Sequence, residues 1–153
     1  MFPYARLPKA NITKLNLTEI CIVYIEEYKR NYDKIEINHN IEDNLLINFD
    51  HSYLDIIFNN LFKNSIEALE TTNNPAIDIT LKKTDKKLIL TFFDNGPGYD
   101  GDIDDLIKPY FSTKNSSGLG LSLINKIITD NSYKMNITTN SYSGFKIEII
   151  FYD

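Results

Sequence analysis

Apolar residues recur along the chain with two periods, one near 3.6 and one of 2. Leu17, Ile20, Val23, Tyr24 and Ile25 fall on a helical stripe, with Glu26, Glu27 and Lys29 on the other side, which predicts a helix over 16–30. A stronger helical stripe runs through Leu54, Ile57, Phe58, Leu61, Phe62 and Leu69, predicting a helix over 50–69. Asp50 or Ser52 can cap its start, and Thr71-Thr72-Asn73-Asn74-Pro75 stops it. A third helix is expected over 118–129, with Leu123, Ile124, Ile127 and Ile128 inward.

Alternation predicts strands over 34–38 and 45–49. It also predicts a hairpin with Ile77, Ile79 and Leu81 facing Leu88, Leu90 and Phe92, and a last hairpin of 135–137 with 145–151, turned at Ser141 to Gly144. Residues 94–117 read as one long connection rich in Gly, Asp and Ser, a length that in compact domains is usually functional. Residues 1–13 read as a lead-in, because Pro3 and Pro8 oppose a helix. Hairpins with helices between them predict an α+β fold: a two-layer α/β sandwich, with a mixed, mostly antiparallel sheet carrying about three helices on one face.

The bulk properties narrow this picture. At 153 residues the chain suits one domain. A net charge of −5 gives no basic surface for nucleic acid. No apolar run approaches the roughly 20 residues of a membrane span, and the first ten residues lack the apolar core of a signal peptide. Cys21, the single cysteine, lies in an apolar stretch and reads as a buried thiol; a reducing, cytoplasmic setting fits.

Three features carry chemistry. Asp94-Asn95-Gly96-Pro97-Gly98 places a carboxylate at a strand end beside a glycine turn, where it can accept from an amino group such as adenine N6. Ser117-Gly118-Leu119-Gly120-Leu121 opens a helix, so its backbone N–H groups and the helix dipole can face an anion. Its spacing is neither the P-loop nor the dinucleotide pattern. Asn60 and Asn64 share one face of the strongest helix, and amide oxygens suit Mg²⁺. Taken singly, each also fits a plain structural role: a turn, a glycine-rich helix entry, a solvated polar edge.

Together they resemble the ATP-binding catalytic domains of histidine kinases. Asn60-Leu61-Phe62-Lys63-Asn64-Ser65-Ile66-Glu67-Ala68-Leu69 resembles the N box and Asp94-Asn95-Gly96-Pro97-Gly98 the G1 box. Pro109-Tyr110-Phe111-Ser112-Thr113-Lys114 resembles the F box and Gly118-Leu119-Gly120-Leu121 the G2 box, all in family order. The resemblance implies the Bergerat fold shared with gyrase-type ATPases, Hsp90 and MutL. Tyr4-Ala5-Arg6-Leu7-Pro8-Lys9 is similar to the segment leaving the dimerisation helix in nitrogen-regulation kinases of the NtrB and NtrY type. The short stretch from Phe111 to Gly118 agrees, implying a compact lid.

The roles that the resemblance implies are these. Asp94 reads the adenine amino group, and Gly96, Gly98 and Tyr99 line the adenine pocket. Asn64 holds Mg²⁺, with Asn60 and Lys63 beside the triphosphate. Phe111 anchors the lid, Ser112 and Thr113 belong to it, and Lys114 reaches a phosphate as a point charge. Backbone from Ser117 and Gly118 through Leu119, Gly120 and Leu121 faces the phosphates. Asn60 and Lys114 are the expected catalytic groups. The sequence departs from the family pattern at Ser116, Tyr99 and Ser65.

Neither His39 nor His51 is followed by the acidic residue and proline of a phospho-acceptor box. The chain thus reads as a donor half. Its expected partners are a dimerisation domain bearing the histidine and a downstream response regulator. At the first N-box position, hydrolytic relatives carry a glutamate; Asn60 cannot act as a base, and Glu67 lies seven residues on. A serine kinase of the same fold and a nucleotide-responsive regulatory module are the alternatives.

Overall fold

The structure, a computed structural model, describes residues 7, 9–109, 120–140 and 144–152. Its elements in order are β1 (Thr13–Asn16), α1 (Leu17–Asn31), β2 (Glu36–Ile41), β3 (Leu46–Phe49), α2 (His51–Ala68), β4 (Ala76–Thr84), β5 (Lys87–Asp94), α3 (Ile103–Leu106), α4 (Gly120–Asp130), β6 (Lys134–Thr139) and β7 (Phe145–Tyr152). Five strands form a sheet in the order β2-β4-β5-β7-β6. β2 runs parallel to β4, and the remaining pairs are antiparallel. This is the two-layer α+β sandwich with a mixed, mostly antiparallel sheet.

One face of the sheet is apolar. Ile77, Ile79 and Leu81 on β4, Leu88, Leu90 and Phe92 on β5, and Ile147, Ile149 and Phe151 on β7 are all buried and alternate with more exposed neighbours. Residues two apart on a strand point the same way, so these positions make one continuous floor. α2 lies on it through Leu54, Ile57, Phe58, Leu61 and Phe62, all at most 1% exposed. Phe62 meets Phe92 edge-on at 4.9 Å. α1 joins through two stacked pairs, Tyr24 on Phe58 and Tyr28 on Phe62. Each such pair adds about 0.5–1.5 kcal/mol beyond its buried area.

Both long N-terminal helices are capped by side chains, α2 by the expected Asp50 and α1 by Asn16. Asn16 accepts from Glu19 N–H at 3.1 Å, and Asp50 accepts from Ser52 N–H at 2.7 Å. Asp50 does more: its second oxygen accepts from Asn11 N–H at 2.6 Å, tying the entering chain to the start of α2.

Several expectations need correction. The strand expected at 34–38 lies further on, as β2 over Glu36–Ile41, and the one expected at 45–49 forms as β3. β2 joins the main sheet, whereas β3 pairs antiparallel with β1 in a separate two-stranded sheet. β1 was not foreseen, because Thr13–Asn16 is too short to show alternation. Val23 is 61% exposed: at about 100° per residue it lies on the side of α1 opposite Leu17, Cys21 and Tyr24. Thr18 and Cys21 take the inward places, and Thr18 Oγ1 earns its burial with two hydrogen bonds, to Glu42 O and from Leu45 N–H. On α4, Ser122 is buried and Leu123 only partly so. Within its described residues, the long connection holds one short helical turn, α3, capped by Asp102.

Candidate nucleotide site

α2 presents Asn60 and Asn64 on its flank, one turn apart. The amide nitrogen of Asn60 donates back to Ile56 O at 2.7 Å, which fixes the side chain and leaves its oxygen pointing outward from that bond. A Cβ on Gly120 would stand 3.1 Å from Asn60 Oδ1 and 3.3 Å from Asn64 Oδ1. A side chain at 120 would crowd both amides and force them or α4 to give by a few tenths of an ångström, and the closeness sets the start of that helix against both amides. Asn64 Nδ2 is buried and has no hydrogen-bond partner among the described residues. A 180° turn of this amide exchanges its nitrogen and oxygen. Either way a buried polar atom at this junction is open to a partner from outside the protein, such as water or a ligand.

The second wall is the turn after β5. Asp94 is 3% exposed and stands between Ile77 and Phe145 in a cross-strand row that begins at Ile37. Its Oδ1 accepts from Gly96 N–H at 3.0 Å, which orients the carboxylate. Gly96 itself is pressed against the carbonyl of Ala68 at the end of α2, 3.1 Å from where a Cβ would sit. Thus Asp94 is drawn to the C-terminal end of the same helix whose middle holds Asn60 and Asn64.

The turn is pinned from behind. Asn95 accepts from Ala76 N–H and donates to Asn74 O, so its side chain clamps the start of β4. Gly98 has φ +72°, and a side chain there would run into Asn140 O. Tyr99 N–H donates to Thr139 Oγ1 at 2.9 Å, and that hydroxyl donates to Gly144 O at 2.7 Å. Gly144, at φ +76°, lies against Asp94 O and within 3.1 Å of Phe93 Cζ, counted from its missing Cβ. The ring of Tyr99 covers Gly101, and burial with the carboxylates of Asp105, Asp102 and Asp100 pushes its hydroxyl pKa up.

The sequence-predicted residues thus divide. Asn60, Asn64 and Gly120 come together directly, and Asp94, Gly96, Gly98 and Tyr99 form the neighbouring turn. Leu121 is half-buried on α4. Lys63 is exposed on the outer face of α2, opposite the core. Phe111, Ser112, Thr113, Lys114, Ser117, Gly118 and Leu119 lie outside the described residues. Thr139, Gly144 and Asn95 act as supports that sequence reasoning did not select. Gly144 in a Ser-Tyr-Ser-Gly turn gave a signal; Thr139 in a polar strand gave none.

Among the described residues no three His, Cys, Asp or Glu side chains converge on a metal-sized space. The donor set is amide oxygen, which suits a hard cation that keeps its waters and leans on phosphate, and not zinc.

Residues 49–152 match the family model for histidine kinase-, DNA gyrase B-, and HSP90-like ATPases. A Rickettsia bellii protein described as an NtrY-like sensor histidine kinase is 26% identical over 97% of the chain. Sporulation kinase B of Bacillus subtilis is 31% identical over 78% of it, and the sensory histidine kinase/phosphatase NtrB of Rhizobium leguminosarum bv. phaseoli 38% over 60%. The chain spans about a quarter of the length of these curated relatives: 25%, 28% and 28%. Among solved structures, the nucleotide-free catalytic domain of histidine kinase ThkA superimposes with a TM-score of 0.82 at 25% identity, covering 93% of this chain and 95% of that one. The mycobacterial sensor histidine kinase MprB shares the fold at 0.80 and 18% identity, covering 93% and 97%. With two thirds of its length inside the family model and the four boxes in order, the chain belongs to the histidine kinase-, DNA gyrase B- and HSP90-like ATPase family.

Proposed function

We propose that this domain binds ATP with Mg²⁺ between α2, the turn after β5 and the start of α4, and presents the γ-phosphate to a histidine on a dimerisation domain of the same kinase. The observation that carries this reading is the packing of Gly120 on Asn60 and Asn64, about one helical turn before Ala68, against which Gly96 seats Asp94. It puts amide oxygens and a helix N-terminus at one end of a cleft and a buried carboxylate at the other, which matches a triphosphate and an adenine. Calorimetric titration with a non-hydrolysable ATP analogue, with and without Mg²⁺, tests it; no binding in either condition overturns it.

The chain's own residues divide the work by position. Asp94 accepts from the adenine amino group, its plane set by Gly96 N–H. Gly98 and Tyr99 complete that end. Asn64, whose amide oxygen faces the start of α4, fits as the metal-holding group, and Asn60, whose oxygen lies beside it, as the group beside the transferred phosphate. Mg²⁺, when bound, neutralises charge that develops on the phosphates. Lys63 reaches phosphates only from the rim, as its exposure on α2 dictates. Phe111, Ser112, Thr113, Lys114 and the backbone from Ser117 to Leu121 are assigned to the lid and phosphate loop on the family motif alone.

Asn60 also bears on reaction type. An amide whose nitrogen is already given to Ile56 O has no basic lone pair to activate water. Transfer to an external nucleophile is therefore favoured over hydrolysis, and that nucleophile is a histidine of the partner, with a response regulator downstream. Residues 1–13 are assigned to the connection from the dimerisation helix and 14–153 to the catalytic domain. The bond from Asn11 N–H to Asp50 supports a fixed entry of that connection. No helix among the described residues is long and apolar enough to cross a membrane, and a cytoplasmic placement accords with ATP supply.

A further inference from the structure

The five-stranded sheet has two faces, and α1, α2 and α4 pack on one of them. The strand register shows what the other face carries. Lys82, Ile89, Ile150 and Lys134 stand side by side across β4, β5, β7 and β6. Thr84, Lys87 and Tyr152 form the next row toward the β4–β5 turn. These positions alternate with the core residues of the same strands, so they project from the opposite side. Ile150 is 9% exposed yet lies outside the core cluster, and Tyr152 is 42% exposed. The result is an apolar strip of Ile89, Ile150 and Tyr152 with a lysine on each side and a third at its end.

Charge on these rows has one sign. Lys82, Lys87 and Lys134 are exposed, and none of them forms an ion pair among the described residues. Glu148, in the row beyond Ile150, already accepts from Asn136 Nδ2 at 3.3 Å, and Asp85 lies in the turn itself. Three such cations grouped on one face of a chain of net charge −5 set this strip apart from the rest of the surface.

We propose that this face docks an amphipathic α-helix of a partner protein, one whose apolar stripe is flanked on both sides by Asp or Glu. Width points to a helix. Lys82 on β4 and Lys134 on β6 are three strand spacings apart, about 14 Å. A helix with its side chains is about 10–12 Å across. Laid along the β5–β7 seam, it sets its stripe on Ile89, Ile150 and Tyr152 and a carboxylate beside each lysine. The sheet is then covered on both faces. Charge sets the selection: an acid-flanked helix is drawn in, and a lysine-flanked one is repelled. An anionic lipid surface suits lysines clustered in one block, whereas these stand apart on either side of the strip.

The test uses the 153-residue chain and a fluorescent helical peptide of about five turns, with a leucine stripe flanked by glutamate. Anisotropy reads its affinity. Wild type is expected to bind it saturably and to ignore the same peptide with lysine flanks. The double variant Lys82→Glu, Lys134→Glu should bind at least about tenfold more weakly. The pair Lys82→Gln, Lys134→Gln, which removes charge without adding repulsion, should lose about threefold. Lys29→Glu, exposed on α1 in the other layer, is the control and leaves affinity unchanged. No binding of the glutamate-flanked peptide overturns the proposal, as does a charge-reversed double variant within about twofold of wild type. Binding to phosphatidylserine vesicles that depends on the two lysines, with none to the peptide, overturns it in favour of a lipid surface.

Discussion

Gly120 and Asn60 stand so close that the methyl group of an alanine at 120 would sit 3.1 Å from Asn60 Oδ1. Asn60 has little room to yield, since its nitrogen is held by Ile56 O at 2.7 Å. The two residues are 60 apart in sequence and belong to different family boxes, so their contact is where two motifs become one site. Gly120→Ala is expected to keep the fold and push α4 away by a few tenths of an ångström. The cost, about 1 kcal/mol, falls on the phosphate end. Calorimetry should register nucleotide affinity down about fivefold, with the thermal midpoint shifted by only a few degrees.

Asp94→Asn retains shape and replaces an ionised acceptor by an amide. The bond from Gly96 N–H survives on the amide oxygen, so the turn persists. What is lost is a charge-assisted acceptor for the adenine amino group, about 1.5–3 kcal/mol. A drop of at least tenfold in ATP-analogue affinity, with inosine nucleotides much less affected, is the expected result. Equal affinities for the variant and wild type would mean that adenine is read elsewhere.

Asp50 links stability to pH. Burial alone would raise its pKa, but the N–H groups of Asn11, Ser52 and Tyr53 and the Ser52 hydroxyl outweigh that and hold it below the ordinary carboxylate range. A depressed folded pKa contributes stability above the unfolded value of about 3.9 and loses it as pH falls through the folded value. Asp50→Ala should therefore destabilise the domain at neutral pH, by about 1–2 kcal/mol for the lost cap. Urea titrations at decreasing pH should show the gap from wild type closing below about pH 4.

Cys21 is fully buried, and burial pushes its thiol pKa up to about 12. At pH 8 almost no thiolate exists to react. Iodoacetamide should leave the native protein unlabelled over hours and modify it quickly in denaturant. Rapid native labelling would show that α1 opens readily from the sheet.

Gly98→Ala probes the turn as scaffold. Its φ of +72° and the carbonyl of Asn140 both oppose a side chain. Strain of about 1–3 kcal/mol, together with the displaced hairpin, should lower the thermal midpoint by roughly 5–10 °C. Nucleotide binding should fall as well.

Much of this architecture was legible from periodicity. α2 and the β4–β5 hairpin are long enough for their stripes to be unambiguous, and they supply most of the floor. β1 was not legible, since four residues cannot show a period and its partner β3 lies across α1. Val23 misled because a short window tolerates an apolar residue on the wrong side. At the site, Asn60, Asn64 and Asp94 were readable because polar groups on apolar elements stand out. Thr139 and Asn95 were not, because their task is to bond neighbouring backbone, and a threonine in a polar strand or an asparagine in an asparagine-rich chain announces nothing.

The hydrogen bond from Thr139 to Gly144, and the seating of Gly144 on Asp94, place the last hairpin behind the Asp94 turn. Asp94 leaves the ribosome some 50 residues before that support exists. At roughly 5–20 residues per second the nascent chain spends seconds with its acid uncovered and its turn unpinned. On the proposed assignment, nucleotide binding is a property acquired only when β7 has closed, so ATP would select finished domains and stabilise them over partial ones.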